Sequence, residues 1–247
     1  MATAKELRVA PIASSAANAL VKRLHYSGKV VQNSQLHFGV YLNGLCEGVM
    51  SFGPSLDKRK MLGLVDGTGW NEFIELNRMA FSEKLPKNSE SRAIGVAMRL
   101  IKKTYPQIKW VVSFADGTQC GDGTIYRASG FVLTSIKENS TLIRLSDGSI
   151  AANVTYSKGK HILKNGGAKM PEGAEKLKGF QFRYIYFIDK SCRDKLTVPE
   201  LPFSKIAEIG AGMYKGVKRE KQAMAPPRVQ RRGSTDPHAP DFPDYKG

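Results

Sequence analysis

Apolar positions along the chain fall into short blocks whose period switches between helical and alternating, the signature of an α/β protein. Ser14 or Ser15 can cap a first helix through Ala16, Ala19, Leu20 and Arg23 toward His25, stopping at Ser27-Gly28. Leu36 to Leu42 and Leu45 to Phe52 flank Asn43-Gly44, a dipeptide that favours a tight hairpin turn. Pro54 to Trp70, rich in Gly, Lys and Asp, predicts a loop. Phe73 to Phe81, FIELNRMAF, predicts a central strand on which the opposite parity of Glu75 and Arg78 sends one side chain toward a site and the other away. A helix starting at Ser89 or Ser91 carries Ile94, Ala97, Met98 and Ile101 on one face and ends near Pro106.

The segment from Ile108 to Phe131 is the richest in chemistry. Trp110 to Ala115 is an uncharged run with β-branched and aromatic residues, the pattern of a strand covered on both faces. Asp116 stands at its carboxyl end, where open α/β sheets bind ligands. Gly117, Gly121 and Gly123 suit a backbone that approaches something closely, and Tyr126 follows on the next helix. Phe131 to Ile136, Leu142 to Leu145, Ile150 to Tyr156 and Phe182 to Ile188 then predict short strands that close the sheet. Gly159 to Gly179 reads as a mobile basic loop. From Tyr214 the chain turns basic and proline-rich with almost no apolar residues, so the organisation expected is one domain over 1–213 and a disordered tail over 214–247.

Charge adds a partner to this picture. The 247 residues are 41% hydrophobic, enough for one substantial core, and carry 38 Lys and Arg against 22 Asp and Glu, a formal +16. A polyanion is the natural partner, although charge alone does not separate DNA from RNA, or either from a generically basic protein. Cys46, Cys120 and Cys192 are too widely spaced for a zinc motif or a disulfide framework, which points to a reducing compartment. The N-terminus lacks the apolar core of a signal peptide and no run is long enough to span a bilayer, so the expectation is a cytoplasmic protein with no membrane partner.

The order of predicted elements resembles the GNAT acetyltransferase superfamily, and Ile125 to Phe131, IYRASGF, looks like that family's tyrosine-bearing helix with its Gly-Phe. This resemblance implies a mixed central sheet splayed between its fourth and fifth strands, with flanking helices and acetyl-CoA in the splay. It implies cofactor contacts from Arg78, Met79 and Phe81 on the fourth strand and from Ser89, Ser91 and Arg92 at the start of the next helix, whose amides would face the pyrophosphate. Ser82 to Gly95, SEKLPKNSESRAIG, departs from the family's arginine and glycine pattern there.

A closer resemblance combines His25-Tyr26-Ser27-Gly28, Phe73 to Arg78, and Ser113 to Asp116 followed by Ile125-Tyr126. Together these are similar to phage Mom proteins, DNA modification enzymes of the same superfamily. That similarity implies conversion of adenine amino groups in double-stranded DNA to a carbamoylmethyl derivative, which shields a phage genome from restriction nucleases. On this reading His25 exchanges a proton or ligates a metal, Tyr26 orients or stacks a withdrawn base, Asp116 takes the amino proton or ligates a metal, and Tyr126 protonates a leaving thiolate. Mom-like proteins have been associated with iron, but His25 and Asp116 alone form no recognisable ligand set. Lys22, Arg23, Ser27, Lys29 and Arg127 flank these positions as candidate phosphate contacts.

Structural roles compete with each of these. His25-Tyr26 can be a helix-end contact and a core ring, Asp116 a cap, Tyr126 ordinary packing, and Glu75 with Arg78 an ion pair. Two other functions stay open: an ordinary acetyl-CoA-dependent N-acetyltransferase, and a noncatalytic nucleic-acid-binding protein on the same scaffold.

Overall fold

In the computed structural model, which describes residues 2–139, 142–152, 170–214 and 217–218, the GNAT-like mixed sheet expected from the sequence is present. Seven strands lie in the order β1-β2-β3-β4-β5-β10-β6, with β1 Arg8–Pro11, β2 Leu36–Leu42, β3 Leu45–Gly53, β4 Phe73–Phe81, β5 Trp110–Asp116, β6 Val132–Asn139 and β10 Gly179–Phe187. Neighbours pair antiparallel except β4 and β5, which run parallel. That pair is joined by the crossover helix α3, Ser89–Thr104. The β2–β3 hairpin turns at Asn43 and Gly44, both at positive φ (49° and 79°), as a type I′ turn requires.

The second half closes the sheet with two of its four expected strands. Those predicted at 131–136 and 182–188 are β6 and β10, and β10 lies between β5 and β6. Phe182, Tyr184, Ile185 and Phe187 are buried on its two faces, which favours a central place over an edge. The strands β7, Leu142–Arg144, and β8, Ile150–Ala152, do not join the main sheet; with β9, Glu175–Lys176, they form a separate three-stranded sheet. Residues 153–156 of the predicted strand, residues 159–169 of the predicted basic loop and nearly all of the predicted tail lie outside the described residues.

Three apolar clusters fix the layers. On one face Ala93, Ile94, Ala97, Met98 and Ile101 of α3 pack with Leu76, Val111 and Phe182, and Tyr126 of α4, Thr124–Ala128, joins them. The other face carries Phe73, Trp110 and Val112 against Met61 and Cys192. Beside these, Ala17, Leu20 and Val21 of α1, Ser14–Leu24, pack on Val49 and Ala80. Neither Ser14 nor Ser15 caps α1: Ala13 holds the N-cap position without a side-chain bond. Within the segment predicted as loop lies a short helix, α2, Lys58–Leu62, too brief to show periodicity; Asp57 caps it and Met61 anchors it. Among the described residues no helix is long and apolar enough to cross a membrane.

Candidate active site

The ladder between β4 and β5 runs only from Phe73↔Trp110 to Leu76↔Ser113. Past that point β4 continues to Phe81 on β3, and β5 continues to Asp116 on β10, so the two central strands part. Ser113 stands at the vertex. Its hydroxyl donates to the Leu76 carbonyl at 3.1 Å, meeting a polar need that an apolar strand otherwise leaves open.

A β-bulge decides what faces the opening. Consecutive residues Ser51 and Phe52 pair with Arg78 and Leu76, which leaves Asn77 as an extra residue in β4. Alternation therefore shifts at Asn77, and Glu75 and Arg78, expected on opposite faces, both line one crevice. The same shift lets Ile74 and Leu76 before it, and Met79 and Phe81 after it, all pack against the α3-side core.

The crevice has a volume of about 830 Å³, within the usual range for ligand sites. Tyr26, Ser27 and Lys29 line it from the α1–β2 connection, Ser55 to Asp57 from the turn before α2, Glu75 to Arg78 from β4, and Phe114 and Asp116 from β5. Leu142, Ile150 and Ala152 of the small sheet add a further wall.

His25 ends α1 just behind this lining. Its Nδ1 accepts from the Ser27 N–H at 3.1 Å and lies 2.8 Å from the Ser27 Oγ. Because a backbone N–H can only donate, the neutral ring carries its proton on Nε2. Burial, then the Arg78 charge, pushes the imidazole down to about 4, so at neutral pH it is uncharged. This arrangement suits holding Tyr26 and donating through Nε2–H better than capturing a proton. The two rings lie 4.2 Å apart.

Tyr26 is half exposed, yet its phenol is pushed upward in pKa, first by burial of the hydroxyl and then by Asp116 and Cys120. Asp116 lines the crevice and caps no helix, since Gly123 holds the N-cap position of α4. Its carboxylate accepts from the Thr118 N–H at 2.9 Å, Gln119 Nε2 at 3.2 Å and Asn139 Nδ2 at 3.4 Å, which fixes its orientation. Arg78 donates through Nε to the Lys29 carbonyl at 3.0 Å and through Nη1 to the Asn77 carbonyl at 2.8 Å, tying the α1–β2 connection to β4.

Tyr126 is buried behind the vertex against Phe131 and Tyr184, its hydroxyl 2.9 Å from Ser113 Oγ. Since the Ser113 proton goes to a carbonyl, the phenol must be the donor of this pair. Burial pushes it up to about 12, so it stays protonated. Glu75 is also raised by burial, with Ser55, Asn77 and Arg78 holding it down in part; no Glu75–Arg78 ion pair forms among the described residues.

Other expected contacts lie outside the crevice lining. Met79 and Phe81 pack on the core. Ser89 is buried with its hydroxyl donated to the Pro86 carbonyl, and the Ser91 hydroxyl turns back to the Asn88 carbonyl, so any anion at this end meets the α3 amides and exposed Arg92 rather than serine hydroxyls. Lys22 and Arg23 are exposed on the last turn of α1. Arg127 is engaged by Asp122 at 3.0 Å and Thr124 at 2.7 Å. Among the described residues no three His, Cys, Asp or Glu side chains gather to hold a metal ion, so His25 and Asp116 do not amount to a metal centre.

Sequence reasoning passed over Ser55, Cys120 and Gln119 and gave Ser113 no role. A lone hydroxyl inside an uncharged strand was the available signal for Ser113, since burial demands a partner for it. Nothing local marks the other three, which reach the site through loop geometry.

Residues 6–205 match the Mom protein family. Methylcarbamoylase mom of Escherichia phage Mu is 37% identical over 199 residues, covering 78% of this chain and 80% of its own. Among solved structures, a Bacillus subtilis acetyltransferase in complex with CoA is 12% identical over 73% of this chain and 98% of its own, with a TM-score of 0.43. A GNAT family acetyltransferase from Elizabethkingia anophelis with acetyl-CoA bound is 14% identical over 74% and 98%, with a TM-score of 0.42.

Proposed function

The chain belongs to the Mom protein family, and on that footing we propose that it is a phage DNA modification enzyme that converts adenine amino groups in double-stranded DNA to a carbamoylmethyl derivative. The observation that carries this reading is the crevice at the β4–β5 splay, where Tyr26, Arg78 and Asp116 meet in front of the buried Tyr126. The relative's name, a methylcarbamoylase, supports the group transferred, and the +16 charge supports a nucleic-acid substrate. Such a product would shield the genome from restriction in the host cytoplasm.

Each residue then has a task. Chemistry on a base edge needs the base out of its stack, and the half-exposed Tyr26 ring at the rim offers it a flat face. Asp116, oriented by its three donors, accepts the proton leaving the adenine nitrogen. Tyr126, kept protonated by burial, is the neutral acid behind the vertex, with Ser113 as its partner. Neutral His25 holds the Tyr26 ring, and Arg78 clamps the connection that carries both. Lys22, Arg23, Ser27 and Lys29 follow the phosphates, and the basic tail over 214–247 adds affinity without sequence preference.

Acetyl-CoA fits this chain as the bound cofactor. The strand edges past Leu76 and Ser113 are free of one another, which suits an extended pantetheine, and the amides of the first α3 turn suit its pyrophosphate. When bound it supplies a two-carbon unit as an activated thioester. The new bond of a carbamoylmethyl product joins nitrogen to a methylene carbon, so acyl transfer alone does not account for it. The residues present do not fit an iron site by themselves, and no step is assigned to one.

Mass spectrometry of nucleosides from plasmid DNA, after expression in bacteria, tests the proposal. An enlarged deoxyadenosine that disappears in both His25→Ala and Asp116→Asn is the expected result. Acetylated amines with unchanged deoxyadenosine would favour an ordinary N-acetyltransferase. DNA binding without any product from the parent protein, unchanged in His25→Ala, would favour a noncatalytic binder.

A further inference from the structure

Among the large hydrophobic side chains that the described residues expose, Leu56 stands apart at 101% relative exposure; the next, Leu45, reaches 63%. A single exposed leucine is ordinary on a protein surface, so its surroundings must carry the argument. Leu56 sits on the rim of the crevice, at the tip of the turn between β3 and α2.

That turn is held firmly from both sides. The Pro54 ring fixes its own φ and its carbonyl accepts from Asn33 Nδ2 at 3.3 Å. Ser55 is buried and lines the crevice, its hydroxyl without a well-formed hydrogen bond although close enough to oppose the upward shift of Glu75. Asp57 caps α2 by accepting the Lys60 N–H at 3.3 Å. An apolar side chain is thus presented to water on a braced support.

After Leu56 comes Asp57, and then Lys58, Arg59 and Lys60. Lys58 lies over the Trp70 ring at 4.6 Å, while Arg59 and Lys60 are exposed and make no ion pair among the described residues. Across the rim stands the half-exposed ring of Tyr26. An apolar tip beside free cations, at the mouth of a nucleotide-sized crevice, is complementary to a base stack flanked by phosphates.

We propose that Leu56 is a wedge that enters the base stack of duplex DNA and occupies the place of the adenine drawn into the crevice, with Arg59 and Lys60 on the adjoining phosphates. This rests on the reading of the crevice as an adenine-modifying site. It assigns the β3–α2 turn the job of opening the duplex and leaves Tyr26 the job of holding what emerges.

The test uses the full chain with supercoiled plasmid DNA and two variants, Leu56→Ala and Leu56→Met. Permanganate oxidises thymines that have lost their partner, so it reports extrusion without knowledge of the modified sequence and without any cofactor. Plasmid bound by the parent should show reactive thymines that naked plasmid lacks. Leu56→Ala should lose them and lower the enlarged deoxyadenosine in bacteria by about tenfold or more, since nothing then fills the gap in the stack. Leu56→Met, which keeps an apolar tip, should retain both, and filter retention of plasmid should stay within about twofold for all three. Undiminished reactivity in Leu56→Ala, or no reactive thymines with the parent, overturns the wedge. Absence of the enlarged nucleoside with thymine reactivity intact would instead overturn the adenine-modifying reading and keep the wedge.

Discussion

The Tyr126 phenol donates to Ser113, which in turn donates to the Leu76 carbonyl, so a buried tyrosine is wired to the vertex where β4 and β5 part. Removing the middle of this relay should cost more than removing its end. Ser113→Ala strands both a buried hydroxyl and a carbonyl, each worth about 1–3 kcal/mol, whereas Tyr126→Phe strands neither and costs about 1 kcal/mol. Thermal melts of the two variants should therefore rank Ser113→Ala below Tyr126→Phe. Nucleoside analysis should show Tyr126→Phe as the more damaging to modification.

His25 sets an acid limit. Its folded pKa, about 4, lies below its ordinary 6.5, so between these values the unfolded chain binds more protons than the folded one. The stability it contributes is complete above about pH 6.5 and is lost as pH falls toward 4. Urea midpoints measured at pH 7, 5.5 and 4.5 should fall less steeply in His25→Gln than in the parent. Parallel slopes would mean that the ring is not desolvated.

Glu75 behaves in the opposite sense. Its pKa is raised by burial, so the folded state holds more protons than the unfolded chain, and its contribution is complete in acid and lost as pH rises. Glu75→Gln should raise Tm at pH 7, with the gain shrinking toward pH 4. A lower Tm at pH 7 would show that the carboxylate is better paired than its surroundings suggest.

Arg78 spans two carbonyls with its fork, a geometry that lysine cannot copy. Arg78→Lys should therefore resemble Arg78→Ala: modification reduced by about tenfold, in line with the loss of charged hydrogen bonds worth about 1.5–3 kcal/mol. Trypsin should cut after Lys29 faster in both variants, because the connection from Tyr26 to Lys29 loses its tether. Unchanged cleavage would place the arginine's role elsewhere.

Local patterns announced the elements around the site well. Asn43-Gly44 needs positive φ at both positions and so declared the hairpin, and the apolar run from Trp110 declared a covered strand. The strand Phe73–Phe81 lies where alternation placed it. What alternation misjudged was facing. A two-residue period carries no sign of an extra residue, and the misplacement of Glu75 relative to Arg78 came from that. The insertion of β10 between β5 and β6 was equally hidden, since strand order is decided by long-range packing rather than by any local pattern. His25, Tyr26, Asp116 and Tyr126 were found as separate motifs; that Tyr26 and Asp116 line one crevice while His25 and Tyr126 stand behind it is a property of the splay.

The extra residue in β4 also marks where this strand tolerates a change of length. Deleting Asn77 would set Leu76 beside Arg78 in unbroken alternation, with Glu75 and Arg78 still toward the crevice and Leu76, Met79 and Phe81 still on the apolar layer. A relative one residue shorter there would present the same pair of charges from a regular strand. Distant sequences should therefore be aligned with a one-residue gap allowed between the glutamate and the arginine.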